Sequence, residues 1–387
     1  MHAPSRYVNL DAARARFGDR VDRLVPYFDR IDDLADRAVA SIGALPHGAG
    51  WKLFNRALSE GIAGLAAPEP LRALFAEVDR VPTWVDWDVI ERGAEVLRRS
   101  GPLGGIVLGA KSLVHGYASP AGNKPLIFSG RLREQATRRL NETARFVQAV
   151  TQRGGLRRDA DGFQISVKVR LMHAQVRRMI LASGRWQPEH WGAPINQHDL
   201  SATSLLFSQS VLMGLRTLGV HVSASEGDSY VHLWRYVGWL MGGDPELLPA
   251  SEVEALRLAD LIGMTMGPPD DDSKALTRAL MESPVFEARL ATTRKWAERR
   301  AAFGYAMARE LVGAEIADAL ELPITPWRFA IPPLRAVVSA MELVRQLSPL
   351  ANRAALDLGT QYWRRVVEIG LGGATAEFGP PQRLAHA

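Results

Sequence analysis

Cysteine is absent from this 387-residue chain. That excludes disulfides, thiolate zinc sites and iron–sulfur clusters. It also removes Cys-x-x-Cys-His, the attachment site of covalent haem, and any thiolate ligand to iron. A haem in such a chain would be held non-covalently, by His or less often Tyr. Lysine is scarce. Nearly all of the 47 basic residues are arginine, they are spread along the chain, and the formal net charge is only +5. No basic block, zinc-finger spacing or basic stripe interleaved with aromatics occurs, so no nucleic-acid partner is expected. Long apolar runs are missing too. The longest, residues 101–114, is interrupted by Lys111 and is too short and glycine-rich to span a bilayer. The opening Met1-His-Ala-Pro-Ser-Arg-Tyr-Val8 carries no apolar signal core, so a cytoplasmic protein is expected. Alternating strand patterns, hairpin turns and Gly-x-Gly-x-x-Gly are also absent.

What is present is helical periodicity almost throughout. The spacing predicts helices over residues 21–42, 51–66 and 70–78, the last with Pro70 in its first turn. Another runs from Asp86 or Asp88 to about Ser100, then one over 104–117, then a loop over 118–124. Ser129 or Thr137 can open a helix that reaches Thr151 and stops at Gly154-Gly155. Further helices are expected over 164–182, from Asp199 or Ser201 to Leu218, and from Ser223 or Ser225 to Met241. Ser251 and Glu254 form a capping box before 256–262, and Asp270 to Asp272 begin another helix. Residues 287–320 read as long and helical, 334–371 as one or two helices, and 372–387 as a frayed tail. No linker, repeat or low-complexity segment divides the chain. The expectation is an all-α fold in a single large helical domain. Residues 1–80 form an N-terminal extension, 81–250 the core and 251–387 added C-terminal helices.

The run Val167 to Ile180 carries the chemistry. Val169, Met172, Val176 and Ile180 form an apolar stripe, and His173 sits within it. A buried imidazole needs partners for its nitrogens, and a metal is one such partner. Arg170 and Arg177 lie one turn before and one turn after. A neutral ring in an apolar pocket with arginines nearby suits a haem, with iron on the nitrogen and propionates on the guanidinium groups. A core histidine bonded to a backbone carbonyl suits the pattern too, and the arginines can pair with buried acids instead. The residues alone leave both readings open.

Other segments bear on the choice. In order they are Val81-Pro-Thr-Trp-Val-Asp86, Tyr117 with Ser129-Gly-Arg-Leu132, Arg139-x-x-Glu142-Thr143, and Val169-Arg170-Leu-Met-His173-Ala-x-x-Arg177. Pro194-Ile-Asn-Gln197, Gly214-Leu-Arg-x-Leu-Gly219 and residues 223–240, with Glu226, Tyr230, Trp234 and Arg235, follow. Together, over residues 81–248, they resemble the latex-clearing protein (rubber oxygenase) family. These are haem b oxygenases that cleave polyisoprene, with relatives that cleave prenyl chains in the mycophenolic-acid pathway. The resemblance implies a globin-like haem-binding core with His173 as proximal iron ligand. It places Arg139, Glu142 and Thr143 on the distal side, and their i, i+3, i+4 spacing puts them on one helical face. Polymer-cleaving members carry a distal Lys where this chain has Glu142, and a catalytic Glu in a loop that here, Ser119-Pro-Ala-Gly-Asn-Lys-Pro125, has none.

The reaction implied is oxygenation or cleavage of a carbon–carbon double bond in an apolar small molecule, isoprenoid or lipid-like, with dioxygen as co-substrate. Glu142 is the candidate base, Arg139 and Thr143 are donors to the oxygen ligand, and the sixth iron position is expected open or water-filled. A peroxidase-like or sensing haem protein, and a cofactor-free helical scaffold, are the alternatives. His190, His198 and Asp199 match no metal-ligand template, and Asp199 reads as a helix cap. His232, beside Tyr230, Trp234 and Trp239, reads as core packing or pocket lining. His115 has no flanking arginines like those of His173. No serine has the glycine-flanked setting of a hydrolase nucleophile.

Overall fold

The structure, a computed structural model, describes residues 3–46, 48–128, 136–287, 291–372, 376, 378 and 379; the side chains of 136–139, 284, 286, 287, 291 and 292 lie outside that description. Among the described residues the protein is all-α, without strands. A single isolated antiparallel bridge joins Tyr7 to Met266.

In chain order the helices that position the site are α1 (Leu10–Phe17), α2 (Asp33–Gly43), α3 (Ala49–Glu60), α4 (Glu69–Val78) and α5 (Trp87–Val107). A wide π turn, Leu108–Leu113, leads into α6 (Val114–Tyr117) and α7 (Pro120–Phe128). Then come α8 (Ala136–Thr151), α9 (Asp161–Ala182), α10 (Gln197–Phe207), α11 (Gln209–Thr217) and α12 (Ala224–Leu240). The C-terminal part adds α13 (Glu252–Thr265), α14 (Asp271–Glu287), α15 (Ala291–Val312), α16 (Ala314–Ala319), α17 (Ile331–Leu347) and α18 (Pro349–Leu371).

The boundaries follow local chemistry. Asp86 caps α5 by accepting from the N–H groups of Asp88 and Val89. Ser223 and Glu226 close a reciprocal capping box on α12, and the Ser251 side chain caps α13. Several expected helices are divided. Pro26 and the Asp32 cap split the predicted 21–42 helix, so α2 begins only at Asp33. The predicted 199–218 helix breaks at Ser208, whose backbone leaves the helical region at φ −99°, ψ −86°. Its cap is Asn196, which accepts from the Asp199 N–H, and not Asp199 or Ser201. The expected 118–124 loop is mostly helix, α7. Ser129 lies outside the described residues, as does the Thr137 side chain.

Helix α5 is the central strut, packed between α12 and α18. Two glycines permit its close crossings. A Cβ on Gly93 would lie 2.2 Å from the Ser229 carbonyl oxygen, and one on Gly359 would lie 1.8 Å from that of Arg98. The core runs along this strut through Leu97, Val107, Tyr230, Trp234 and Trp363. Helix α9 packs against α8 on one side and α2 on another, which sets the surroundings of His173.

Candidate functional site

His173 is half-buried on α9, at the edge of the Val169, Val176 and Ile180 stripe. Its flanking arginines turn toward α2. The Arg170 side chain is 3 % exposed and grips Asp32 with two nitrogens, Nε to Oδ2 at 2.6 Å and Nη2 to Oδ1 at 3.0 Å. Its Nη1 donates to Glu77 at 2.8 Å. Burial opposes the Arg170 charge, but the two acids outweigh it and hold its pKa above the ordinary value. Arg177 pairs with Asp36 and donates from Nε to the Pro194 carbonyl at 3.0 Å and from Nη2 to the Ile195 carbonyl at 2.9 Å. Burial lifts the Asp36 carboxyl, and Arg177 pulls it back only in part. Of the two pairings open to these arginines, propionate or buried acid, the structure shows the second. Both guanidinium groups meet protein acids, and Arg170 lines a separate polar pocket of about 710 Å³ with Asp32, Glu77 and Gln197.

The same contacts explain the Pro194 to Gln197 motif. Arg177 holds its carbonyls, including that of Ile195 at the left-handed φ of 54°. Asn196 caps α10, and Gln197 accepts from the Asp244 N–H and donates to the Gly242 carbonyl. Gly242 has φ 80°, and a Cβ there would fall 2.1 Å from Asp32 Oδ2. These residues brace the end of α9.

A larger cavity, about 1310 Å³, lies under α10 and α11, bounded by the π turn, α6, α7 and the end of α13. It exceeds the roughly 300–1,000 Å³ usual for small-molecule sites. Leu126, Leu205, Leu206, Phe207 and Met213 make much of the wall, and Thr143 reaches it from α8. Residues 5–9 strap one side, held by the Tyr7–Met266 bridge and the Arg6–Asp199 ion pair. Glu142, half-buried, adjoins Thr143 on α8. The Arg139 side chain and residues 129–135 lie outside the described residues, so the expected triad is brought together by backbone register alone. His173 is not among the cavity-lining residues; it occupies the neighbouring helix.

Three other histidines have partners of their own. His198 stacks on Phe28 at 4.1 Å and its Nδ1 lies 3.2 Å from Asp199. Burial depresses the His198 pKa. His190 Nδ1 bonds Ser5 Oγ at 2.8 Å, and His232 Nε2 accepts from the Asp86 N–H at 3.1 Å. No group of three or more potential metal-ligating His, Asp or Glu side chains forms among the described residues. Lys111 escaped the sequence reading, and His115 was set aside. Both face the cavity from the wide turn and α6. Burial, then Lys111, pushes His115 down to about 4, so its ring is neutral. The one available signal was Lys111 within an otherwise apolar run.

Together these features define a helical protein with a chamber walled largely by apolar side chains and reached by Thr143 from the helix packed on the His173 helix. The chain belongs to the family described as ER-bound oxygenase mpaB/B'/Rubber oxygenase, catalytic domain, whose model matches residues 87–346. It is 25% identical over 203 residues to the rubber oxygenase of Streptomyces sp. (strain K30), covering 52% of this chain and 48% of that protein. The chain thus matches about half the length of that relative. Its fold is similar to that of latex clearing protein LCP in the closed state, with a TM-score of 0.68 and 22% identity over 88% of this chain and 90% of the other. No helix among the described residues is long and apolar enough to cross a membrane.

Proposed function

We propose that this chain is a cytoplasmic haem b oxygenase that uses dioxygen on a carbon–carbon double bond of an apolar, isoprenoid or lipid-like substrate. The observation that carries this reading is the apolar chamber that Thr143 enters from α8, the helix packed on the His173 helix. The donor set suits the cofactor: the half-buried His173 imidazole, no thiolate in the chain, and, beyond the neighbouring helix that carries Thr143, an apolar volume large enough for a flat macrocycle and a chain beside it. His173 is the residue that would hold the iron. Haem b, when bound, supplies dioxygen binding and the redox chemistry.

The remaining work belongs to the chain. Thr143 Oγ1 and the Arg139 guanidinium donate hydrogen bonds toward the oxygen substrate and orient it. A Glu142 carboxylate oxygen takes the allylic proton. A carboxylate would be a poor ligand for ferrous haem, so Glu142 is assigned to proton transfer and not to holding the iron. Arg170 and Arg177 act as positioning residues. They anchor α9 to α2 and to the 194–197 loop, which fixes where His173 stands. The chamber wall of Leu205, Leu206 and Phe207 excludes water and receives the substrate chain.

The test is oxygen uptake by the haem-loaded protein across isoprenoid and unsaturated-lipid substrates, run in parallel with peroxide. Double-bond-dependent oxygen consumption supports the reading. Turnover with peroxide alone overturns it in favour of a peroxidase.

A further inference from the structure

We propose that the large cavity takes apolar chains ending in a carboxylate, and that Lys111, Ser112 and His115 hold that head group. The inference deepens the reading of the cavity as the substrate chamber.

Three polar residues fall within five positions on the π turn and the start of α6, and all three line the cavity. Lys111 is 5% exposed, and its ammonium donates to the Leu311 carbonyl at 2.6 Å, near the end of α15. It forms no ion pair among the described residues, and burial alone, with no carboxylate opposing it, lowers its pKa. The Ser112 hydroxyl is buried and meets no hydrogen-bond partner among the described residues. His115 sits one turn after Lys111, close enough to feel its charge.

An ammonium carries three donors, and only one is matched among the described residues. A buried cation without a counter-ion, beside a buried hydroxyl without a partner, is costly unless something completes it. Capping the last carbonyls of α15 accounts for one Lys111 proton. It accounts for neither Ser112 nor His115. A carboxylate completes all three, because its two oxygens accept from Nζ, Oγ and an imidazole N–H at once. One cation matches one negative charge, which disfavours a dianionic phosphate. An uncharged ester or hydrocarbon leaves the ammonium unmatched. The apolar walls beyond, from Leu126 to Met213, suit the chain attached to that head.

The test is calorimetric titration of the purified full chain, with its cofactor, using farnesoate and the uncharged methyl farnesoate. The acid is expected to bind at least about tenfold more tightly than the ester. Lys111→Met should bring the acid down to the ester's affinity and leave the ester unchanged. Ser112→Ala should weaken the acid about three- to tenfold and leave the ester alone. If Lys111→Met unfolds through loss of the Leu311 contact, Lys111→Arg and Ser112→Ala decide: the arginine keeps the preference, and the alanine weakens the acid alone. Equal wild-type affinities, a preference that survives Lys111→Met in a folded protein, or a Ser112→Ala variant that binds both ligands like wild type overturns the proposal. A haem-containing protein without the preference sinks this inference and leaves the oxygenase reading standing. A haem-free protein that keeps the preference sinks the oxygenase reading alone.

Discussion

Replacing Arg170 by Met tests whether α9 is held in place by buried charge. The guanidinium is 3% exposed and Asp32 8%, so the variant strands a carboxylate in the interior. Removing one partner of such a pair costs about 3–5 kcal/mol. The Glu77 contact adds little, since that carboxylate is 37% exposed and solvent screens it. With an unfolding entropy of about 2.1 cal/mol/K per residue, the 387-residue chain changes by about 0.8 kcal/mol per degree. The thermal midpoint should therefore fall by roughly 4–6 °C. Pairing the change with Asp32→Asn removes both charges. The double variant should lose clearly less than the two single losses added together. Arg56→Met serves as a control, because that arginine and Glu60 are 59% and 54% exposed; it should shift the midpoint by less than about 1 °C. Scanning calorimetry gives all four values. A midpoint within 1 °C of wild type for Arg170→Met, or simple additivity in the double variant, would refute the bracing role assigned to this arginine.

Three further outcomes are expected. His115 has a folded pKa of about 4 against an ordinary 6.5, so the unfolded chain binds its proton first as pH falls. The stability tied to its neutral ring is present above about 6.5 and lost down to about 4, roughly 3 kcal/mol in all. His115→Leu should flatten the midpoint-against-pH curve in that window, and an unchanged curve counts against the buried neutral ring. Glu142→Gln should retain haem and substrate binding yet lower kcat about 10²–10⁴-fold, measured by oxygen uptake; a rate near wild type removes it as base. Thr143→Val should lower kcat about 10- to 100-fold with KM within about twofold. A change confined to KM would make Thr143 a wall residue only.

Local signals were legible where a residue acts on its own neighbours. Asp86, Ser223 with Glu226, and Ser251 could be read as caps because each bonds N–H groups two or three residues on. The apolar stripe of α9 could be read from its period. What could not be read is pairing at a distance. The acids that receive Arg170 and Arg177 lie 138 and 141 residues upstream, on a helix whose sequence gives no hint of its partner. The cavity depends on residues 5–9 folding back against α10 and α13, which no local pattern encodes. Asn196 takes the cap expected of Asp199, which instead pairs with Arg6 from the far end of the chain. Lys111 read as a flaw in an apolar run; it became a candidate ligand-binding group only when the wide turn set it in a cavity wall.

The most direct test is the visible absorption spectrum of the full chain, expressed with added haem precursor, beside that of His173→Ala. A Soret band in the wild type, lost in the variant while the thermal midpoint stays within a few degrees, is the result predicted. A colourless wild-type protein, or a Soret band that survives the substitution unchanged, would contradict the assignment of His173 as the residue that holds the iron.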